Sequence, residues 1–408
     1  MVAIGLFAGM LVGSLPGFTT LMAMAILLPI SFFMDPRVGI RFLLGIYKGG
    51  IFGGSVPAIL LSMPGTGAAV ATSRDGYKLT QQGRSRKALD MALFASASGD
   101  TFFDIFTIMM IFPIPFLVMQ FGPPELFAVR LMSLVIIAAT SAANPVKGLV
   151  MMMFGLWLSF IGTDPLGGVE RFAFGLLDLR SGIPLLPVLI GVFAIPEVAS
   201  IVIRNEKGRK LAALMGERLK LHEFRRCART IGRSTLIGTG IGIIPGLGKI
   251  VAAMMGYLAA KNASDHPETF GEGELEGVAA AEAANNAVNG PTLVPLLTLG
   301  IPGDNVTAIL LGAFVAQGLR PGPELFKRQG ATVFAILVAM VVGFILGPAM
   351  DYAFGQTVAM SNGDALGFFV TERIGAMLIL LATPFAGYLL WKRLYGKPTT
   401  KSTTTPTT

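Results

Sequence analysis

The stretch "VPLLTLGIPGD" (Val294–Asp304) opens as an apolar run and then breaks on Ile-Pro-Gly, with Asp304 and Asn305 directly at the break. A second stretch far upstream, "VPAILLSMPGT" (Val56–Thr66), aligns with it without a gap. Valine, proline, a leucine-rich run and Pro-Gly fall in step. Another pair repeats the pattern: "GMLVGSLPGFTT" (Gly9–Thr20) and "GTGIGIIPGLGK" (Gly238–Lys249). Here Gly9, Gly13, Pro16 and Gly17 match Gly238, Gly242, Pro245 and Gly246 at a constant offset. In both halves the first motif precedes the second, and the spacing differs by an insertion placed around "NASDHPETFGEGE". The ordered pairing of two motifs reads as an internal duplication.

Composition says in what medium these breaks sit. Of 408 residues, 53% are hydrophobic and only 14% charged, against about 25% charged in soluble domains; mean hydropathy is +0.69. The apolar residues form long runs: Met1–Phe33, Ile105–Met119, Leu126–Ala143, Val146–Ile161, Ile183–Ile203, Thr235–Ala260, Val333–Gly347 and Ile374–Trp391. Several reach the roughly 20 residues that a spanning helix needs. Backbone in hydrocarbon must satisfy its own hydrogen bonds, and the alternation of a barrel is absent, so helices are expected. The fold class is therefore all-α: a polytopic membrane protein with two internal repeats containing broken helices or re-entrant hairpins. The N-terminus lacks the basic region of a signal peptide, and its apolar run continues too far for one.

Charge sets orientation. The net +8 is concentrated in Arg74–Lys87 and Arg204–Arg233, between apolar segments. That distribution fits cytoplasmic loops rather than a nucleic-acid surface. Four crossings are expected between them, at Ala88–Met119, Pro124–Ala143, Val146–Ile161 and Ile183–Ile203, an even number that returns the chain to the same side. The acidic stretch Asp265–Glu276 carries no Lys or Arg and fixes no side. The expected organisation is a first repeat over 1–73, a basic loop over 74–87, intervening helices over 88–203 and a basic linker over 204–233. A second repeat over 234–326, C-terminal helices over 327–395 and a disordered tail over 396–408 complete it.

Proline and glycine together end a helix inside the membrane. One half-helix then offers unpaired N–H groups and the other unpaired carbonyls, which suit anions and cations respectively. Irregular backbone is tolerated at that depth only where it lines a cavity in the protein. Interrupted segments at corresponding places of two repeats point to the binding site of a secondary transporter. The candidate residues are Pro16, Gly17, Thr19, Ser55, Pro64, Gly65, Thr66, Pro245, Gly246, Thr298, Gly300, Pro302, Gly303, Asp304 and Asn305. Beside the last break, "AEAANNAVNG" (Ala281–Gly290) places Glu282, Asn285, Asn286 and Asn289 on one helical face, a costly stripe in lipid that should face a cavity or another helix. Ser96, Asp100 and Asp104 form another stripe. These two carboxylates could relay protons, bind a cation, or pair with a basic residue such as Arg130.

Other chemistries have little to use. Cys227 is the only cysteine, and His222 and His266 lie far apart in charged stretches, which leaves no metal or nucleophile set. "GIIPGLGKI" lacks the glycine spacing and the Ser/Thr of a phosphate-binding loop. No catalytic constellation is present, so an enzyme is not expected and no cofactor is expected beyond a coupling Na+ or H+. A channel stays open as an alternative, since broken helices also line pores.

These stretches also carry a resemblance. "GSLPGFTT", "GIYKGGIFGGSVPAILLSMPGTGAAVAT", "FGPPELFA", "DPLGGVERFAFGLLDLRSGIPLLPVLIGVFAIPEV", "EGVAAAEAANNA" and "PLLTLGIPGDNVTAILLGAF" resemble, in order, the large membrane subunit of the tripartite tricarboxylate transporters, the TctA family. The resemblance runs to about Phe326. It implies a permease of the bacterial inner membrane that imports carboxylates on a sodium or proton gradient, with elevator-like movement of the repeat pair. It implies two partners, a small membrane subunit and a periplasmic solute-binding protein. Compared with that family the chain starts almost at the first motif, and only about two apolar spans follow Phe326, so a shortened, non-transporting membrane scaffold is a second alternative. Lys249, Asp100 and Asp104 depart from the family pattern.

Overall fold

The computed structural model describes residues 1–15, 17–111, 122–140, 145–164, 168–184 and 215–322, with isolated positions at 187–188, 191–192, 195–196, 199, 325, 333 and 336. These residues are almost entirely helical, as the all-α expectation requires. The strand content among them is one two-residue antiparallel pair, β1 (Gly162–Thr163) and β2 (Glu170–Arg171). Pro16, most of 185–214, nearly all of the span at Val333–Gly347, and the whole of Ile374–Trp391 and the tail lie outside the described residues.

The first part of the chain forms α1 (Val2–Ser14), α2 (Thr20–Phe32), α3 (Pro36–Gly53), α4 (Ser55–Leu61), α5 (Ala69–Gln81) and α6 (Ser85–Ile111). Local chemistry sets several of these ends. The Thr19 hydroxyl accepts the Met22 N–H and starts α2. Asp35 caps α3, with Pro36 in the first turn, where a missing N–H costs nothing. The middle holds α7 (Pro123–Thr140), α8 (Pro145–Ser159) and the single turn α9 (Leu177–Arg180). The last part forms α10 (Leu221–Ile243), α11 (Gly248–Asn262), α12 (Leu275–Ala287), α13 (Leu293–Leu299) and α14 (Asn305–Ala316).

Glycine brings the helices together. Gly5, Gly9 and Gly13 recur every fourth residue along α1 and face Gly45, Gly49 and Gly53 on α3. A methyl group at Gly5, Gly9 or Gly13 would lie 2.0, 2.4 or 2.7 Å from the carbonyl oxygens of Phe42, Ile46 and Gly50. No side chain fits there, so backbone packs on backbone, the small-residue arrangement common between helices in lipid. The same contact occurs between α10 and α12: a methyl at Gly238 or Gly242 would lie 2.3 or 3.1 Å from the oxygens of Ala284 and Val288. One apolar cluster gathers α2, α3, α13 and α14, from Met24 and Leu43 to Leu297 and Phe314. Another gathers α4, α5, α6, α10 and α12 around Ile59, Met91, Ile231 and Ala279.

Two basic stretches differ from the expectation of loops. Arg74–Gln81 is the second half of α5, which leaves only a short turn before α6, and Leu221–Arg233 is the first half of α10. The helices therefore cross the expected boundaries at 73/74 and 233/234. Charge patterning reports which side of a membrane a segment faces, not its backbone, and neither stretch holds a proline to stop a helix. The acidic stretch up to Glu274 is a loop with one 3-10 turn, Pro267–Thr269. Gly271 and Gly273 take φ of +96° and +106°. They turn the N–H groups of Gly271, Gly273 and Glu274 onto Asp75 Oδ1 at 2.8, 2.9 and 2.8 Å. The Tyr257 hydroxyl donates to Asp75 Oδ2 at 2.9 Å. This clasp fastens the loop to α5 and sets where α12 begins.

Among the described residues one helical run, Pro36–Leu61, is long and apolar enough to cross a membrane, and its apolar window is wholly buried; α1, α2, Val146–Ser159 and α14 are apolar but shorter.

Candidate functional site

Gly17 and the other three Pro-Gly pairs fall between helices: α1 and α2, α4 and α5, α10 and α11, α13 and α14. Corresponding residues share backbone conformation. Gly17 and Gly246 take φ of +84° and +85°, while Ser62 and Gly300, which end α4 and α13, take +57° and +70°. The glycines accept this left-handed geometry without cost, and Ser62 does not. The first polar residue behind each second break accepts the N–H three residues on, although only Asp304 is the N-cap of its helix; that of α5 is Ala68. Thr66 Oγ1 accepts the Ala69 N–H at 3.2 Å, and Asp304 Oδ1 accepts the Thr307 N–H at 2.7 Å.

The breaks come together. A methyl at Gly65 would lie 2.8 Å from the Gly13 oxygen and 3.1 Å from that of Phe18, so the second break sits on the first. The Gly246 N–H donates to the Gly303 oxygen at 3.0 Å, joining the third to the fourth. A methyl at Gly67 would meet Ile250 Cδ1 at 2.5 Å, which brings the second against the third.

Beside them runs a buried polar seam in which the α12 stripe faces the α6 stripe. Glu282, fully buried, accepts from Ser55 (2.6 Å) and Thr72 on Oε1 and from Ser96 (2.8 Å) and Asn286 (3.4 Å) on Oε2. These donors come from α4, α5, α6 and α12 itself, so one carboxylate ties four helices. One turn along, Asn289 Nδ2 donates to Asp100 Oδ1 at 3.1 Å. Asp100 and Asp104 hold Lys48 Nζ of α3 between them at 2.7 and 2.6 Å. Their cation is thus Lys48, and Arg130 is exposed on α7. The reason is geometric: α3 and α6 both flank the seam.

The neighbouring residue on α3, Tyr47, reaches the other breaks. Its hydroxyl lies 3.1 Å from Thr292 Oγ1 and 3.4 Å from Asp304 Oδ2. Lys249 Nζ sits 3.3 Å from Asp304 Oδ2 and 3.7 Å from the centre of the Tyr47 ring, a combined ion pair and cation–π contact. Lys249 and Asp304 occupy the positions that align with Thr20 and Thr66, so the charged pair stands in one half only.

The remaining candidates fall as follows. Asn285 is fully buried, and neither its amide nitrogen nor its oxygen has a partner among the described residues. Thr298 is buried but donates to its own helix at the Val294 oxygen. Asn305 is exposed in the first turn of α14, away from the seam. Lys48, Tyr47, Thr72 and Thr292 join the site although the motifs did not single them out. A lysine and a tyrosine inside the apolar run of α3 were the available signal for two of them.

The fold and site define a helical protein whose interrupted helices meet over a buried, charge-bearing seam, with no group of metal ligands among the described residues. Residues 1–385 match the model of the tripartite tricarboxylate transporter TctA family, and the chain belongs to that family. It is a family of transport proteins, not of enzymes. The chain is 36% identical over 345 residues to an uncharacterized 52.8 kDa protein in the TAR-I ttuC' 3'region of Agrobacterium vitis, covering 84% of this chain and 68% of that protein. It is 43% identical over 109 residues to an uncharacterized protein in the TAR-II ttuC' 3'region of the same organism, covering 27% of this chain and 45% of that one. No solved structure matches the chain significantly.

Proposed function

We propose that the chain is the large transmembrane subunit of a secondary transporter that imports carboxylates, tricarboxylates among them, across the bacterial inner membrane on a sodium or proton gradient. A small membrane subunit and a periplasmic solute-binding protein complete the system, and the binding protein delivers the substrate. The chain crosses the bilayer several times. Its two repeats are α1–α5 and α10–α14, and they move as an elevator-like unit.

The observation that carries this reading is the meeting of four helix interruptions beside a buried seam of amides, hydroxyls and charges. Half-helix N-termini and unpartnered amides suit a carboxylate, while free carbonyls and acidic groups suit a coupling cation. Several features favour a membrane setting. Phe102, Ile105 and Met109 on α6, Phe127 and Leu131 on α7, and Val150, Met151 and Trp157 on α8 are exposed, large apolar side chains that a bilayer would cover. The repeat reading draws support from the matched glycine contacts of α1 on α3 and α10 on α12.

The test is uptake of a radiolabelled carboxylate into proteoliposomes holding the full chain, the small subunit and the binding protein. Accumulation only with an imposed sodium or proton gradient is expected, and Asn286→Ala should lower uptake without lowering insertion. Uptake without partners or gradient would favour a channel. No uptake under any condition would favour a scaffold.

A further inference from the structure

Among the described residues the Lys48–Asp100–Asp104 group is short of positive charge. One ammonium faces two carboxylates, the three side chains being 5%, 14% and 3% exposed. A buried carboxylate without a compensating charge is strongly disfavoured. The rest of the seam does not supply one. Among the described residues it adds Glu282 and Asp304 but only one further cation, Lys249, which is paired with Asp304. On α12 and the turn that follows it, the groups facing this end of α6 are the amide of Asn289 and, farther back, Glu282. No side chain of α4, α5, α10 or α12 forms an ion pair with Asp104 among the described residues.

The two aspartates are supported unequally. Asp100 is satisfied on both oxygens, by Lys48 on one and by Asn289 on the other. Asp104 receives Lys48 on Oδ2, while Oδ1 is buried with no partner among the described residues. Two more orphaned acceptors lie nearby. Among the described residues Asn289 Oδ1, on the side chain that touches Asp100, has no partner, and neither has Thr107 Oγ1, one turn along α6 from Asp104. Hydrogen bonds to a carboxylate favour its charged form, so the second charge is least supported on Asp104. A metal cation would have to displace the ammonium that already lies between the carboxylates. A proton needs only the open oxygen.

We propose that Asp104 is the exchangeable proton site of this chain, with Lys48 as its charge partner and Asn289 and Asp100 as positioning residues. This deepens the transport reading by naming the coupling ion as a proton, and it rests on that reading for the role in uptake. With Asp104 ionised, Lys48 ties α3 to both aspartates. With the proton on Oδ1, the group is neutral overall and Lys48 pairs with Asp100 alone. The change acts on the α3–α6 contact, and α3 leads directly into α4, whose Ser55 holds Glu282. Proton occupancy therefore reaches the breaks through one helix.

The test is infrared difference spectroscopy on the purified full chain in nanodiscs, stepped in pH, with uptake assayed in parallel. The wild type should show a protonated-carboxyl C=O band that appears on acidification. Asp104→Asn should remove it, Asp104→Glu should shift it, and Asp100→Asn should leave a band. In proteoliposomes with both partner subunits, Asp104→Asn should lose pH-gradient-driven accumulation at least tenfold. A wild type without the band, or an Asp104→Asn variant that keeps it, would overturn the proposal. So would undiminished pH-gradient-driven uptake by Asp104→Asn. If the band behaves as expected but no uptake occurs under any gradient, the proton site stands and the transport reading fails. Should Asp104→Asn not fold, the shift in Asp104→Glu decides the band's assignment.

Discussion

Gly49→Ala places one methyl group at one of the two closest approaches of α1 and α3. The added carbon would lie 2.0 Å from the Leu6 carbonyl oxygen, 1.4 Å short of the 3.4 Å at which ordinary contact begins. That oxygen belongs to helical backbone, so it cannot rotate aside as a side chain could. Either α1 moves away or α3 shifts along its own length. Overpacking of this kind costs about 1–3 kcal/mol, and a rigid target puts Gly49 at the upper end. Function should suffer more than stability, because Gly49 adjoins Lys48. A shift of α3 by about 1 Å would break ion pairs of 2.6–2.7 Å, and displacements of that size can cost roughly a hundredfold in rate. The assay is thermal unfolding of the purified protein in detergent, followed by uptake in proteoliposomes. Gly155→Ala, on α8 with nothing within 4 Å of the added carbon, is the control. A Gly49→Ala protein with wild-type Tm and uptake would refute the argument that backbone contact between α1 and α3 positions the seam.

Three further outcomes follow from the same contacts. Glu282→Gln should cost about 1–3 kcal/mol, since its amide cannot accept from the donors now on Oε2, whereas Glu282→Ala should cost more because it strands Ser55, Thr72, Ser96 and Asn286; equal Tm values for the two would defeat the four-helix tie. Ser62→Gly should stabilise by about 0.5–1 kcal/mol by relieving a left-handed residue at the position where Gly300 stands in the other half, and a lowered Tm would contradict this. Near the start of α10, burial pushes the Glu223 carboxyl up, but the hydrogen bond and charge of Lys87 outweigh it and hold the group below its ordinary value of 4.5. Its contribution is therefore full above about pH 4.5 and is lost as pH falls through the lower folded value; Lys87→Met should flatten that part of a Tm-against-pH curve, and an unchanged slope would remove the pair from the account.

The four breaks and the α12 stripe were legible because both depend on local chemistry. Proline and glycine stop a helix wherever they stand, and Glu282, Asn286 and Asn289 share a face by helical spacing alone. The partners were not legible. Thr72 reaches Glu282, and Lys48 reaches Asp100 and Asp104, across long separations in sequence. Only the packing of α3, α5 and α6 decides such pairings, and so Arg130 was the basic residue expected where the structure places Lys48. The glycine contact was written in plain view as Gly5, Gly9, Gly13 against Gly45, Gly49, Gly53, but a four-residue spacing does not name its partner helix. Thr298 and Asn305 sit within the right motif, yet one turns to its own backbone and the other to the surface. The basic stretches misled as loops because charge marks a side of the membrane and leaves the backbone free to stay helical.

The central claim is that the interrupted segments of the two halves form one working site. Cysteines at Gly67 and Ile250, in a chain whose Cys227 has been replaced by serine, test it most directly, because the second and third breaks touch there. The account predicts rapid disulfide formation, gradient-driven carboxylate uptake abolished while the bond is in place, and uptake restored by reduction. A pair that does not cross-link, or a cross-linked protein that transports at the full rate, would contradict it.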